Sequence, residues 1–327
     1  MQAESVRSLK AEINQDILGV QFDSEQNIIN LGVNIDHANT HRFGLGIASA
    51  GKPNEFKLAL RLESENDLST PEVARILSLA RGEVDIQVTG PISVLEPALL
   101  DAQQSSSGPL RMGSTVGIDG GMGVGTAGVF VRERGSSDVC LLSNNHVLAN
   151  SNQARLGTRM FHYANADLQW AGHLKAFQQV RAGGVRNQVD CAIAKLDSSY
   201  SLDVSTLIGG GRFGGSRSRL NHLSMAVSKV GRTTDRTHGY VSATEVDTWI
   251  GFGGGLGGVY FVNQIEIRGR GNATHFSQPG DSGSLVMDRD HNAFGLLFAG
   301  SRVSDTTYCN DIGKVFEALN IELFNAN

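Results

Sequence analysis

The apolar positions near the start of the chain follow helical spacing before they follow strand spacing. Val6, Leu9, Ile13, Ile17 and Leu18 fall on one helical face and predict a helix over 3–19. Three strand-like runs come next, "NIINLGVNI", "RFGLGIASA" and "FKLALRLES". "STPEVARILSLARG" then reads as a short helix, with Ser69 or Thr70 as N-cap, Pro71 in the first turn and Gly82 as the stop. "EVDIQVTG" alternates as one more strand. This α-β-β-β-α-β order predicts a small α+β N-terminal domain over 1–98.

Polar, small and Pro/Gly-bearing residues in "DAQQSSSGPLRMGS" break the pattern and predict a linker over 99–114. From 115 to 327 the pattern is different. Short apolar runs recur between glycine-rich turns: "GTAGVFVRER", "DVCLLSNNHVL", "RLGTRMFHY", "VDCAIAKL", "HGYVSATEV", "VYFVNQIEI", "GSLVMD" and "AFGLLFAGS". Strands this short, at this spacing, predict a mainly β sandwich or barrel. Ile312, Val315, Phe316 and Leu319 share one face of a closing helix. The glycine runs 209–215 and 251–258 are expected to be flexible surface loops.

Composition narrows the function classes. At 327 residues, 40% hydrophobic and 19% charged, the chain can bury a substantial core. Its 40 glycines and 6% aromatic content favour tight turns over long helices. A net charge of -5 argues against nucleic-acid or acidic-membrane partners. Cys140, Cys191 and Cys309 form no CxxC pair, so neither a disulfide framework nor a thiolate metal site is expected. No signal-peptide core or membrane-length apolar run occurs, which predicts a cytoplasmic protein. No further domain is expected after residue 327, and the "NAT" at 272–274 is read as chance without a secretory signal. The glycine runs lack a P-loop Lys-Ser/Thr, and there is no HExxH, so no cofactor or metal is expected.

The chemistry concentrates in "FSQPGDSGSLVMD", where Ser282 sits between Asp281 and Gly283 at the mouth of an apolar strand. A serine nucleophile needs a base, and the base needs an orienting carboxylate. Nine histidines are present, so context must choose among them. His146 stands at the end of an apolar strand, held by Val147 and Leu148. The others fall in polar or loop-like stretches or in the N-terminal unit. Asp190, between Val189 and Cys191, is expected to be at least partly buried and so to need a partner. Asp197 is a solvated competitor where its strand runs out. A structural histidine and an ordinary turn serine remain the bland alternatives for each residue taken alone.

Taken in order, "LLSNNHVLA", "VDCAIAKL" and "PGDSGSLV", with "KVGRTTDRTHGYV" and "GLLFAGS" in support, resemble the trypsin/chymotrypsin-like serine proteases over about 113–325. The N-terminal unit, the linker and "LSNNHV" are similar to the narrow-leaf type of plant trypsin-like protein and its bacterial relatives. The resemblance implies a chymotrypsin-like double β-barrel and a serine endopeptidase acting on protein or peptide substrates. It implies Ser282 as nucleophile, His146 as base, Asp190 as orienter, and the N–H groups of Gly280 and Ser282 as oxyanion hole. Asp281 would fix the turn. Phe276 would help floor the specificity pocket, with Phe298, Ala299 and Gly300 lining it, so an apolar or small residue is expected before the cut. The chain departs from secreted digestive members in lacking their cysteines and an activation sequence, which leaves Asp281 without a freed terminal amine. For the N-terminal domain, regulation through a partner, homo-oligomerisation, substrate gating and passive packing all fit. A catalytically silent scaffold of the same fold is the alternative for the whole.

Overall fold

In a computed structural model of the chain, the residues described are 1–17, 20–22, 28–31, 43–95, 108–217, 223–270 and 275–324. Two large β-sheets dominate. The first has eight strands and takes in Thr115–Ile118, Val129–Glu133, Cys140–Ser143, Arg159–Ala164, Asp167–Phe177 and Ala192–Leu196. The second has ten and takes in Ala226–Gly231, Asp235–Phe252, Gly257–Gly269, Leu285–Met287, Ala293–Ser301 and Thr307–Asp311. Pairing in both is almost wholly antiparallel, and the helix Ile312–Ala318 follows the last long strand of the second sheet. The mainly β body and closing helix agree with the sequence pattern.

The strand Ala293–Ser301 is buried at all nine positions, which is why "AFGLLFAGS" reads as a continuous apolar run rather than an alternating one. Leu296 belongs to the core between this strand and the first sheet, with Val129, Leu142 and Ile193. Phe298 and Ala299 belong to a second cluster with Phe252, Phe261 and Tyr308.

The N-terminal unit continues the second sheet. Gly44–Ser49 pairs with the long strand Asp235–Phe252 through Ala243↔Ala48 and Asp247↔Leu45. Phe56–Leu62 and Val84–Val88 then run parallel, joined through the helix Pro71–Leu79, which Thr70 caps. The first helix, Ala3–Asp16, buries Val6, Leu9 and Ile13 in one cluster with Leu58, Leu60 and Val73. A buried ion pair clamps the unit in place. Arg61 donates Nε–H to Glu266 Oε2 at 2.6 Å and Nη2–H to Oε1 at 2.9 Å, while Tyr308 donates to the same carboxylate at 3.0 Å. Bidentate geometry on a fully buried carboxylate is the arrangement in which such a pair offsets its desolvation cost.

Three sequence expectations need revision. The run 251–258 is a hairpin rather than a loose loop: Gly251 pairs with Gly258 and Phe252 with Gly257, so strands of 18 and 13 residues meet across a short turn. Of the expected linker, 99–107 lies outside the described residues, and Leu110–Met112 is a strand paired with Leu202–Leu207. His162 is a core residue of the strand Arg159–Ala164, not a loop histidine, and sits beside the Tyr200 hydroxyl at 3.0 Å. Residues 272–274 and the early run 32–35 lie outside the described residues.

Burial, with a smaller contribution from the Arg111 charge, pushes the His162 pKa down to about 4. An unfolded histidine titrates near 6.5, so the unfolded chain takes up this proton first as the pH falls. Stability contributed by neutral His162 is therefore complete above about 6.5 and lost progressively towards about 4. The expected loss is about 3 kcal/mol across that window. Urea denaturation at a series of pH values should show it in the wild type, and a flatter profile in His162→Gln.

Candidate active site

The turn that carries Ser282 is built on two glycines and one carboxylate. Gly280 and Gly283 have φ of 96° and 91°, in the region that L side chains avoid. A side chain on Gly283 would also fall 2.0 Å from Ser143 Oγ. Between them, Asp281 is fully buried and answers to five donors. Thr233 N–H at 2.9 Å, Thr234 N–H at 3.2 Å, Thr234 Oγ1–H at 2.7 Å and Gln278 N–H at 3.0 Å donate to it. The fifth is Lys229 Nζ at 3.2 Å, itself without exposed surface. The backbone comes close here because residue 231 is glycine: a Cβ there would sit 2.4 Å from Asp281 Oδ1. The "KVGRTT" segment is thus a carboxylate receptor. Lys229 supplies the cation of that receptor. Burial pushes the Lys229 pKa down, and the Asp281 charge works against that.

His146 and Asp190 come together through strand pairing. Cys140–Ser143 pairs antiparallel with Ala192–Leu196, with Ser143 opposite Ala192, so the residues just beyond these ends meet. His146 lies in the single helical turn Asn145–Leu148. Its backbone N–H donates to Asp190 Oδ1 at 3.2 Å, and its Nδ1 contacts Oδ2 directly. A carboxylate on Nδ1 fixes the proton there and leaves the Nε2 lone pair outward. Nε2 is buried and has no hydrogen-bond partner among the described residues.

Side-chain amides that sequence reasoning missed hold this pair. Asn144 Nδ2 donates to the Asp190 carbonyl at 2.7 Å, and the Asp190 N–H donates to Asn310 Oδ1 at 2.9 Å. Asn310 in turn donates to Gln264 Oε1 at 2.8 Å, and Gln264 to the Gln188 carbonyl at 2.9 Å. The signals were present as "SNN" before His146 and "CND" before the last helix, but their partners lie far away in sequence. Asp197, the competitor, is 46% exposed on its side chain and faces His173 at 3.6 Å.

The two halves meet around Gly125. Its missing side chain leaves room where a Cβ would stand 2.6 Å from Val147 and 2.8 Å from the Ser282 carbonyl. Thr126 N–H donates to that carbonyl at 2.8 Å. Ser282 is fully buried, and its hydroxyl does not donate to His146. It donates to the carbonyl of Leu95, at 2.9 Å. The N–H groups of Gly280 and Ser282 have no acceptor among the described residues.

Leu95 ends a strand that lies on the predicted pocket residues. Ile92–Val94 pairs antiparallel with Ala293–Ser301 through Ala299↔Val94, Gly300↔Ser93 and Ser301↔Ile92. The Leu95 N–H donates to the Phe298 carbonyl at 3.1 Å. Its side chain joins the apolar cluster that holds Phe276, which is fully buried. Among the described residues there is no group of His, Cys, Asp or Glu arranged to hold a metal, and no helix long and apolar enough to cross a membrane.

No protein-family model matches the chain, and no curated protein matches it. Similar solved structures do exist. Thermobifida fusca protease A is 14% identical with a TM-score of 0.47, a Cellulomonas bogoriensis chymotrypsin 16% with 0.46, and a Nocardiopsis protease 17% with 0.48. Each comparison covers 67% of this chain and 100% of the other. The likeness is one of overall fold.

Removing the Lys229 charge should expose how much Asp281 depends on it. Lys229→Met strands a buried carboxylate, and the expected cost is about 3–5 kcal/mol. Lys229→Met with Asp281→Asn should recover a good part of that loss in urea denaturation, because neither buried charge then remains. Equal stability of the wild type and the single variant would show that the pair carries no such weight.

Proposed function

We propose that the chain is a serine endopeptidase in which Ser282 attacks a peptide carbonyl, His146 takes and returns the proton, and Asp190 orients the imidazole. The observation that carries this reading is the Ser282 hydroxyl resting 2.9 Å from the carbonyl of an extended peptide segment, in a chain that also holds a buried His146–Asp190 pair. That combination supplies a nucleophile with a peptide carbonyl in reach, and a base whose free nitrogen is the one that accepts the proton. Gly280 and Ser282 N–H groups, without an acceptor among the described residues, would receive the oxyanion. A silent scaffold is disfavoured by the effort spent on the site: buried charges at Asp190, Asp281 and Lys229 all cost stability unless they serve it.

Specificity follows from the same pocket. Phe276 and Gly300 offer no charge to a cationic side chain, and a leucine already fits beside them. Peptides with Leu, Met or Phe before the cut should be preferred over those with Lys or Arg by more than about tenfold.

Fluorophosphonate labelling, read by intact mass, tests the nucleophile. The cleft strand covers Ser282, so labelling is compared in the full chain and in a Val94→Asp variant that unseats the strand. Ser282 should be modified in at least the second, and never in the matching Ser282→Ala chains. Turnover of a Leu-containing peptide by the open variant should fall about ten-thousand-fold with Asp190→Asn, the scale known for a mis-set imidazole tautomer. Equal labelling with and without Ser282 would end this reading, as would full turnover without Asp190.

A further inference from the structure

A peptide added to a sheet edge is usually paired along one side, and the groove beside Ser282 pairs along two. Ile92–Val94, with Leu95 after it, shows how an extended segment lies there. On one side it runs antiparallel to Ala293–Ser301, with Ser93 opposite Gly300 and the Leu95 N–H donating to the Phe298 carbonyl at 3.1 Å. On the other side Ser93 pairs in parallel with Gly251, near the end of the long strand Asp235–Phe252. Successive residues in an antiparallel ladder turn their N–H and C=O groups to opposite flanks. Leu95 and Ser93 therefore address Phe298 and Gly300, which turns the Val94 N–H and the Ile92 carbonyl towards Gly251. The Ile92 oxygen does stand 3.5 Å from the place a Cβ on Gly251 would take, and the Ser93 Cβ is equally close. The two backbones can approach because residue 251 carries no side chain.

The hairpin that carries this second flank is held on several sides. Gly251 pairs with Gly258 and Phe252 with Gly257, and Gly254, Gly255 and Gly257 close the turn with φ of 67°, 82° and 66°. Its tip leans on the loop that follows the His146 turn. Gln153 Nε2 donates to the Gly254 carbonyl at 3.0 Å, and a Cβ on Gly254 would fall 3.0 Å from that of Ser151. Phe252 stacks on Phe261 with ring centroids 5.7 Å apart and meets the His146 ring edge-on at 6.2 Å. Ile92 and Val94 are buried in the same cluster as Phe252 and Phe298. The wall beside Val94 is thus fixed to both sheets.

We propose that Gly251 is a second backbone rail of the substrate groove. A peptide substrate is held as the middle of three strands, antiparallel to Ala299–Ser301 and parallel to Gly251. The rail reads the N–H of the second residue before the cut and the carbonyl of the fourth. The proposal rests on the peptidase reading of Ser282, with Leu95, whose carbonyl lies on the Ser282 hydroxyl, marking the first of the four positions. It defines a substrate class: segments extended over at least four residues before the cut, with a free N–H on the second. Helical and turn segments cannot meet both flanks at once. Proline or an N-methyl group at the second residue removes the donor that faces the Gly251 carbonyl. A groove with one rail would leave that N–H to water and would accept either.

The full chain with Val94→Asp, whose cleft is open, is assayed with an Ile-Ser-Val-Leu anilide and with the same peptide methylated on the valine nitrogen. The methyl group should lower kcat/KM by about tenfold or more, the scale of a lost main-chain hydrogen bond and a bared acceptor. Adding Gly251→Leu, which fills the space of the close approach, should slow the parent peptide and shrink the valine-methyl penalty to about twofold, because both changes break one contact. A methyl group on the serine nitrogen strikes the Gly300 side instead, and its penalty should be the same in both chains. Should Gly251→Leu fail to fold, the first comparison is read without it. Equal turnover of the parent and valine-methylated peptides overturns the rail and leaves the peptidase reading standing. A valine-methyl penalty that Gly251→Leu leaves unchanged does the same. If no peptide is cut, the rail is overturned, and fluorophosphonate labelling of Ser282 in that chain shows whether the peptidase reading falls with it.

Discussion

A carboxylate with no exposed surface, Asp281, governs how this site is put together. Leaving it unpaired would cost several kilocalories per mole, so the chain surrounds it with four neutral or backbone donors and one buried ammonium. Each of those partners imposes something on the backbone. Gly231 must lack a side chain for the two segments to approach. Gly280 and Gly283 must take positive φ so that the chain can enter and leave the turn on either side of Asp281 and Ser282. The direction of the Ser282 side chain and of its own N–H is a consequence of satisfying Asp281. Because Lys229 lies on a strand of the same sheet, its contact with Asp281 is set as the sheet forms. Control over the site, where it exists, must then act on access to the cleft rather than on the turn.

The two sheets divide the work. The first sheet presents His146 and Asp190 at adjoining strand ends, and the second presents Ser282 and the strand Phe298–Gly300 on which a peptide can pair. Their alignment is secured by groups that cross the junction. Asn310, on the second sheet, accepts from the Asp190 N–H, and Thr126, on the first, donates to the Ser282 carbonyl. These are short, directional contacts between rigid strands, so an error in one sheet would be felt at once in the other.

Local punctuation made much of this legible, and long-range pairing hid the rest. Thr70, Pro71 and Gly82 framed the helix Pro71–Leu79 because capping chemistry acts within a turn. The apolar runs located the strands, and the residues at their ends put His146, Asp190 and Ser282 forward as candidates. Lys229 was visible only as part of a motif, since its partner Asp281 lies 52 positions on (281 − 229) and nothing local marks a lysine for burial. The strand Ile92–Val94 was harder still. At three residues it is too short for a periodic signal, and its partners at 299–301 are about two hundred residues away. The hairpin over 251–258 was misread because glycine signals a turn whether or not strands continue through it. What the chain folds into was written locally; what fills its cleft was written in pairings that only the folded sheet makes.

An occupied cleft is also what sheet physics favours. Without Ile92–Val94, the edge at Ala299–Ser301 would leave backbone groups unpaired above an apolar pocket and invite pairing with any extended segment. A tethered strand meets that edge at an effective concentration of about a millimolar or more, and its ordering cost is met once, when the chain folds. A foreign peptide must bear the association cost anew and displace buried Ile92, Val94 and Leu95 as well. Competition on those terms is lost unless the tether slackens. The Arg61–Glu266 clamp and the Ala48–Ala243 pairing hold the body of the N-terminal unit to the sheet. On its described side, slack therefore has to arise beyond them, at the Thr89–Gly90 turn that leads into the strand. The strand order of the N-terminal unit lays Ile92–Val94 along Ala299–Ser301, with the Leu95 carbonyl on the Ser282 hydroxyl.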